Sequence, residues 1–234
     1  MPETIIKLEN ISKSYSQGDS VIPVIENLNV TIQEGKFIAV IGPSGSGKST
    51  LLNVIGLIDT VDSGDIHFFN QNLKDISDTE QNLIRRDKLG FVYQSNNLFS
   101  DFTAIENVTI PQILLGTSKK NAYESAFKCL DVLGLSARIN HLPKDLSGGE
   151  QQRVAIARAI INEPKVIIAD EPTGNLDKNT SKDVFEHLID FVSPQKISLL
   201  MATHNLPLPR HSAHPITLLQ LPILYTFPPT HNHP

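Results

Sequence analysis

The stretch Gly42-Pro43-Ser44-Gly45-Ser46-Gly47-Lys48-Ser49 decides the fold class of this 234-residue chain. It fits the phosphate-binding pattern G-x-x-x-x-G-K-[ST]. The apolar run Lys36–Ile41 before it predicts a buried strand, and Ser49–Ile58 after it predicts a helix. A strand, a glycine-rich loop and a helix in this order place backbone N–H groups around phosphate oxygens at a helix N-terminus.

The side chains of this loop predict separate roles in binding phosphate and in binding Mg²⁺. We expect Lys48 to reach the β- and γ-phosphates of a nucleotide and the Ser49 hydroxyl to ligate Mg²⁺. The other residues expected to form the phosphate cradle are Gly42, Pro43, Ser44, Gly45, Ser46, Gly47 and Thr50.

A second acidic element follows the apolar run Lys165–Ala169, which predicts another buried strand. The carboxyl ends of parallel strands meet at one sheet edge, where phosphates bind in α/β proteins. We therefore expect Asp170 to act toward Mg²⁺ and Glu171 to polarise an attacking water.

The remaining pattern predicts an α/β protein with an antiparallel β portion. Thr4–Ile11 and Val24–Gln33 alternate apolar and polar residues, as half-buried antiparallel strands do. The middle of the chain is predicted to be helical, and the last third returns to strand–helix alternation, which favours a parallel sheet covered on both faces. The further predicted elements are strands at Asp65–Phe69, Leu89–Tyr93 and Lys196–Ala202 and helices at Ser147–Ile161 and Thr180–Val192.

Helix signals in the middle are local and specific. Ser77-x-x-Glu80 and Thr103-x-x-Glu106 fit capping boxes, in which a hydroxyl and a carboxylate satisfy free N–H groups at a helix start. Lys119–Leu133 is predicted to be a helix ended by Gly134. Its expected buried stripe consists of Ala122, Ala126, Phe127, Leu130 and Leu133, with Cys129 beside it as a small core or boundary residue and not a reactive thiol.

Composition narrows the class of protein. The net charge is −5, and no run of lysine or arginine occurs, so we expect no nucleic acid partner. One cysteine cannot form an internal disulfide, which favours a reducing compartment. No apolar run reaches the roughly 20 residues needed to span a bilayer, so we expect a membrane role only through partners.

The stretch Leu146-Ser147-Gly148-Gly149-Glu150-Gln151-Gln152 predicts a helix start that exposes backbone N–H groups, a second anion site. Considered alone, it fits a capping box and nothing more. Together with the phosphate loop, it resembles the LSGGE signature of the ATP-binding-cassette (ABC) ATPases. The resemblance covers roughly residues 4–206, with a helical insert at about 95–160, and implies a P-loop NTPase fold with ATP and Mg²⁺ as cofactors.

The resemblance also implies roles for single residues. Tyr15 would stack on adenine, Gln94 would touch Mg²⁺ and the attacking water, and His204 would contact the γ-phosphate. In this family two chains meet head to tail, so that the Ser147, Gly148 and Gly149 of one chain face the ATP of the other. Asn175-Leu176-Asp177 resembles the loop that couples the two sites.

Three longer stretches narrow the resemblance to the ATPases of lipoprotein-releasing transporters: 94–108, 134–147 and 169–177. This implies two integral inner-membrane permease partners, a lipoprotein substrate handled by them, and a peripheral location on the cytoplasmic face of the inner membrane. The alternatives are MacB-type exporters, which are usually fused to a membrane domain, FtsE-type division ATPases, and soluble ABC ATPases without a transport role.

Within the first stretch, Leu98, Phe99 and Phe102 are large apolar residues in a polar, helix-poor segment. Core packing explains such residues, and so does a groove that receives a short helix of a membrane partner. The sequence leaves both explanations open.

The segment 207–234 departs from the family pattern. It holds seven of the fifteen prolines and four of the eight histidines, and Arg210 is its only charged residue. We expect an atypical tail, and a shifted reading frame near residue 207 is the favoured explanation. A genuine tail would leave His211, His214, His231 and His233 as weak metal-ligand candidates.

Overall fold

Two β-sheets with different strand directions form the framework of the protein. The computed structural model describes residues 3–203 and the backbone of residues 216–220. Within those ranges, one sheet has the order β2-β1-β4-β5 and is antiparallel, and the other has the order β6-β7-β8-β3-β9 and is parallel.

The strands are β1 (Thr4–Gln17), β2 (Ser20–Gln33), β3 (Phe37–Ile41), β4 (Ser63–Phe68), β5 (Gln71–Asn72), β6 (Leu89–Tyr93), β7 (Val166–Asp170), β8 (Ser198–Thr203) and β9 (Ile216–Gln220). The helices are α1 (Lys48–Ile55), α2 (Asp78–Lys88), α3 (Ala104–Leu114), α4 (Lys119–Val132), α5 (Gly148–Ile160) and α6 (Lys178–Val192). Short 3₁₀ turns lie at Leu73–Asp75, Ser136–Arg138 and Pro143–Asp145. The predicted α/β class with an antiparallel portion is confirmed.

The first hairpin is longer than the apolar alternation predicts. β1 continues past Ile11 to Gln17 and pairs with β2 through Tyr15 opposite Ile22. Gly18 closes the turn with a φ of +60°, a conformation that glycine adopts at little cost. The predicted strand ends at Ile11, too early, because the outer part of the hairpin is polar. Backbone pairing, and not side-chain burial, stabilises this part.

Strands β3, β7 and β8 of the parallel sheet are buried on both faces, as their apolar sequences predict. Ile38, Val40 and Ile168 pack toward the antiparallel sheet and α1, whereas Ile167 and Ala169 pack toward α3, α5 and α6. Successive residues of one strand therefore contribute to two cores. Burying an aliphatic side chain of this size contributes about 1.5–3 kcal/mol.

The helix signals in the middle of the chain were accurate except at one residue, whereas α1 ends at Ile55 and not at the predicted Ile58. Both predicted capping boxes are present, on α2 and α3, and Cys129 is buried. Phe127 was wrongly placed in the buried stripe of α4, because its side chain is 41% exposed. Ala126 and Leu130 already fill the contact with α3 and α5, and Phe127 projects beside them.

The segment predicted to be an atypical tail contributes one strand to the described structure. β9 pairs in parallel with β3, with Ile216 opposite Phe37 and Gln220 opposite Ile41. His204 and the four tail histidines lie outside the described residues, and the predicted boundary at 206 remains a prediction. No helix in the described ranges is both long and apolar enough to cross a bilayer.

Candidate active site

A cavity of about 860 Å³ opens where the carboxyl ends of the parallel strands meet. The register explains this placement, because Tyr93 lies opposite Asp170, Asp170 opposite Ala202, and Ile41 opposite Thr203. The loops after β3, β6 and β7 therefore leave the sheet side by side. The cavity is lined by Tyr15, Val24, Ser44, Gly45, Gly47, Lys48, Ser49, Thr50, Gln94, Asp170 and Glu171.

The phosphate loop wraps the N-terminus of α1. Gly45 and Gly47 have φ values of +78° and +83°, so the loop needs glycine at both positions. The Lys48 side chain is buried, and its ammonium donates to the carbonyl oxygens of Gly42 and Pro43 at 2.9 Å each. These two bonds hold the cation inside the loop, where a nucleotide phosphate would meet it.

Gly42, Pro43 and Ser46 belong to the same loop, and their predicted contact with phosphate remains a prediction. They do not line the cavity. The first two provide the carbonyls that hold Lys48, and Ser46 is buried with a hydroxyl that has no hydrogen-bond partner in the described structure.

The two acidic residues Asp170 and Glu171 lie at the carboxyl end of β7. Asp170 is the last residue of the strand, and Glu171 turns out of it with a φ of +44°. The Glu171 N–H donates to the Ala202 carbonyl at 3.0 Å, and the Gly174 N–H donates to the Glu171 carbonyl at 2.9 Å. Both carboxylates line the cavity opposite the phosphate loop.

Gln94 reaches the same cavity from the loop after β6 and is tied to the loop after β7. Its side-chain N–H donates to Asn175 Oδ1 at 3.0 Å, and the Asn175 amide donates to the Gln94 carbonyl at 3.2 Å. A Cβ at Gly174 would lie only 2.8 Å from Gln94 Nε2, so the side chain needs a glycine beside it.

The segment after Gln94 is fastened to α5. Arg158 donates to the carbonyls of Asn96 and Asn97 at 2.8 and 2.7 Å, and Gln152 donates to the Tyr93 carbonyl at 3.2 Å. Asn96 and Asn97 both have positive φ values, near +57° and +49°. The glutamine segment therefore moves only if these contacts with α5 change.

Tyr15 stands at the edge of the cavity, 40% exposed. Its hydroxyl donates to Asp59 Oδ2 at 2.6 Å. Burial raises the pKa of Tyr15, and the hydrogen bond to Asp59 raises it further, so the phenol stays neutral. Because Tyr15 lines the cavity, a planar base bound there could stack on its ring.

The signature stretch forms a separate site at the start of α5. Ser147 caps the helix, and the Ser147 N–H donates to Glu150 Oε2 at 2.7 Å. The Arg138 guanidinium and this backbone bond lower the pKa of Glu150 to about 2. Ser147, Gly148 and Gly149 do not line the cavity described above, and Gly149 packs against Thr180 of α6.

The structure thus brings together most of the predicted site residues and separates the signature residues from them. Tyr15, Gln94, Asp170 and Glu171 share one cavity with the phosphate loop. Sequence reasoning missed Val24, which lines the cavity from β2, and Asp59, which holds Tyr15. Neither belongs to a motif, and only the pairing of β1 with β2 and the turn after α1 place them here.

The donors in the cavity fit a magnesium nucleotide. Mg²⁺ prefers hard oxygen ligands, and Ser49, Gln94 and Asp170 present a hydroxyl, an amide and a carboxylate to the cavity. Apart from such mixed donors, the described residues contain no cluster of three or more histidine, cysteine or acidic side chains suited to a metal.

A phosphate loop between β3 and α1, an antiparallel sheet beside it and a helical region that ends in LSGGE together define an ATP-binding cassette. The ABC transporter family model matches residues 25–174, and the chain belongs to this family.

Curated relatives narrow the comparison to lipoprotein-releasing systems. The chain is 49% identical over 205 residues to the lipoprotein-releasing system ATP-binding protein LolD of Rickettsia bellii, covering 88% of this chain and 90% of the relative. It is 43% identical over 218 residues to LolD 1 of Rhodospirillum rubrum, covering 93% and 96%.

Solved structures agree with this fold. The dimeric structure of the bacterial ABC transporter cassette MJ0796 is 42% identical, with a TM-score of 0.79, covering 86% of this chain and 88% of that one. A dimeric post-hydrolysis state of the same cassette, bound to ADP and Pi, is 41% identical with the same TM-score.

Proposed function

We propose that this chain is the ATP-hydrolysing subunit of an inner-membrane ABC transporter that releases outer-membrane-directed lipoproteins to a periplasmic carrier. One observation carries the enzymatic part: Lys48, Ser49, Gln94, Asp170 and Glu171 line a single cavity at the sheet edge. The similarity to LolD proteins over about nine-tenths of their length supports the choice of substrate.

The phosphate loop would bind the triphosphate. Backbone N–H groups of the loop and the positive end of α1 favour anions. The Lys48 ammonium already points into the loop, so little reorganisation is needed when a γ-phosphate replaces one carbonyl as its acceptor. Such preorganised charge is worth more at the transition state than in water.

Mg²⁺ would be held by Ser49, Gln94 and Asp170. When bound, the ion neutralises charge on the phosphate oxygens and orients them. Glu171, fixed by its backbone bond to Ala202, would polarise the attacking water from the opposite wall. His204 follows β8 directly and would complete the site as the resemblance implies.

The separate position of the signature site supports a head-to-tail homodimer. Ser147, Gly148 and Gly149 lie outside the cavity of their own chain, so an anion site at the start of α5 is left for a second chain to use. The dimeric structure of the similar cassette supports this arrangement. ATP would then join the two chains, and its hydrolysis would release them.

The loop after Gln94 supports a membrane partner. Leu98 packs against the core, whereas Phe99 and Phe102 are 51% and 42% exposed and meet edge to face at 5.8 Å. The buried Asn107 donates to the carbonyls of Phe99, Phe102 and Thr103 and accepts from the Phe99 N–H. A rigid loop that presents two aromatic rings suits a short amphipathic helix of a permease.

Coupling to ATP is physically reasonable for this substrate. Each CH₂ of an acyl anchor that leaves the bilayer costs about 0.8 kcal/mol, so extraction of a lipoprotein with several chains does not proceed unaided. Closing and opening of the ATPase dimer would provide the coupled step at the cytoplasmic face of the inner membrane.

Capture of partners from detergent-solubilised membranes tests the proposal. A tagged wild-type chain is expected to co-purify with two different multi-span proteins that carry large periplasmic domains. Phe99→Asp is expected to lose both while retaining ADP binding. Phe127→Asp, which changes another exposed phenylalanine on α4, is the matched control and should retain both partners.

Other outcomes separate the alternatives. A single partner from the division machinery would favour an FtsE-type role, and no membrane partner would contradict a transport role. If Phe99→Asp lost ADP binding together with partner binding, the result would favour a role of Phe99 in core packing and not in partner binding. In proteoliposomes with the captured partners, ATP should release a labelled lipoprotein to a soluble carrier, and Lys48→Ala should abolish this release.

We further propose that the family pattern ends near residue 206 and that a shifted reading frame produces 207–234, of which Ile216–Gln220 still pairs with β3. The abrupt loss of acidic residues and the enrichment in proline support this. Translation of the parent gene in the other two frames tests it: a helix-forming continuation is expected after residue 206, and its absence in both frames would contradict the proposal.

A further inference from the structure

The Tyr15 ring is held mainly by Asp59 and Lys13, which belong to none of the sequence motifs, while its hydroxyl also contacts Thr50 of the phosphate loop. Its hydroxyl donates to Asp59 Oδ2 at 2.6 Å. The other carboxylate oxygen, Asp59 Oδ1, accepts from the Lys13 ammonium at 2.9 Å and from the Thr60 N–H at 2.7 Å. Both oxygens of Asp59 are therefore engaged, and the carboxylate cannot rotate without breaking a bond.

Lys13 completes the cluster from the interior. Only 7% of Lys13 is exposed, and its Nζ lies 5.1 Å from the centroid of the Tyr15 ring. Burial tends to raise the pKa of Asp59, but the hydrogen bonds from Tyr15 and Lys13 outweigh it and keep that pKa below its ordinary value. Asp59 thus remains an ionised acceptor for the phenol.

The turn that carries Asp59 is fastened to β1. The Ser14 N–H donates to Asp62 Oδ2 at 2.6 Å, and the Asp62 N–H donates to the Ser12 carbonyl at 2.9 Å. This turn follows α1, which begins at Lys48. One short helix therefore connects the phosphate loop to the group that fixes the aromatic ring.

We propose that Asp59 is a positioning residue for the base of the bound nucleotide, acting through the hydroxyl of Tyr15. This rests on the proposed function, in which adenine stacks on Tyr15. Without Asp59 the ring can leave the orientation that faces the cavity. The base then loses its stacking contact with Tyr15, while the phosphates keep their contacts with the phosphate loop.

ADP and inorganic pyrophosphate together test the proposal, because pyrophosphate occupies the phosphate loop and has no base. Affinities are measured by calorimetry for ADP and by competition for pyrophosphate. Tyr15→Ala is expected to weaken ADP binding about 10- to 100-fold, the range seen for base–aromatic stacking. Asp59→Ala is expected to weaken it about threefold to tenfold, and neither change should alter pyrophosphate binding.

A double-mutant cycle shows whether Asp59 acts through Tyr15. In a Tyr15→Phe background, Asp59→Ala should cause no further loss of ADP affinity, since the hydroxyl is already absent. Asp62→Asn is the matched control from the same turn: it removes a carboxylate but keeps an oxygen that accepts from the Ser14 N–H, so the turn stays in place and ADP affinity should remain near wild type. Because Asp59→Ala leaves Lys13 buried without its partner, the pair Lys13→Met with Asp59→Ala is measured as well.

The outcomes are distinct. Equal weakening of ADP and pyrophosphate, or additive effects of Asp59→Ala and Tyr15→Phe, would overturn the role of Asp59. Unchanged ADP affinity in Tyr15→Ala would overturn base stacking and this inference with it. Failure of the wild-type chain to bind ADP would instead overturn the proposed ATPase function.

Discussion

Gln94, which lines the cavity, and Asn175 exchange two hydrogen bonds, side chain to side chain at 3.0 Å and side chain to carbonyl at 3.2 Å. The pair joins the loop after β6, which is fastened to α5, to the loop after β7, which carries Glu171. A shift of either loop therefore strains or breaks these hydrogen bonds and changes the position of the other loop. Gln94 and Glu171, proposed to act on the same water, are set by one contact network.

Removal of this contact should slow hydrolysis without weakening nucleotide binding. Asn175 does not line the cavity, so Asn175→Ala is expected to leave the Kd for ADP unchanged. The loss of two hydrogen bonds should lower kcat about fivefold to tenfold. A steady-state ATPase assay measures this, with Asn179→Ala, an exposed asparagine at the start of α6, as the control. An unchanged kcat would mean that Gln94 is held by other contacts.

Glu171→Gln should separate binding from chemistry. The amide keeps the shape of the side chain but no longer accepts a proton from water, so turnover should fall about 100- to 10,000-fold. ATP binding should persist, and the chain should accumulate as an ATP-bound dimer in size-exclusion chromatography. Normal hydrolysis by this variant would show that another group activates the water.

Arg138 should stabilise the start of α5 in a pH-dependent way. Arg138 Nε donates to Glu150 at 2.8 Å, and together with the Ser147 N–H it lowers the pKa of Glu150 from 4.5 to about 2. A lowered carboxyl pKa contributes stability that is complete above pH 4.5 and is lost as the pH falls toward 2.

Arg138→Ala is therefore expected to lower the free energy of unfolding at pH 7 by about 0.5–1 kcal/mol, since solvent screens this half-exposed pair. The difference from wild type should shrink as the pH falls from about 5 toward 2, because Glu150 is protonated first in the variant and only near pH 2 in wild type. Urea unfolding at three pH values measures it. Lys182→Ala, which removes the exposed partner of Glu186 on α6, should show no comparable pH dependence.

Gly149 should tolerate substitution less well than Gly148. A Cβ at Gly149 would lie 2.4 Å from Thr180 Cγ2, and Thr180 is held in place by its hydroxyl bond to Asp177 at 2.5 Å. Gly149→Ala is expected to cost about 1–3 kcal/mol in the free energy of unfolding. In Gly148→Ala the nearest atom is the flexible end of Leu176 at 3.3 Å, so that variant should be near neutral. Similar stabilities in chemical unfolding would contradict the close packing of α5 on α6.

Local signals made the fold and most of the site predictable. The phosphate loop, the capping boxes and the acidic strand end each depend on residues only a few positions apart, and the structure places them as expected. Cys129 was recognised as a core residue because its neighbours on α4 have helical spacing; burial raises the pKa of its thiol to about 12.

Contacts between distant segments could not be predicted from one sequence. The bonds of Asp59 to Lys13 and Tyr15 depend on how the turn after α1 meets β1, and the bonds of Gln94 to Asn175 depend on the register of β6 and β7. The exposure of Phe127 has the same origin, since periodicity identifies an apolar residue but not which neighbours cover it.

The position of β3 in its sheet has a consequence for synthesis on the ribosome. This strand carries the phosphate loop, yet both of its partners, β8 and β9, belong to the last quarter of the chain. The β1–β2 hairpin can form as soon as it emerges from the ribosome. The apolar strand β3, in contrast, stays unpaired for most of translation. Nascent chains of this protein therefore expose an aggregation-prone apolar strand until β8 and β9 have been synthesised. We expect chaperones that bind extended apolar segments to bind β3 during this interval.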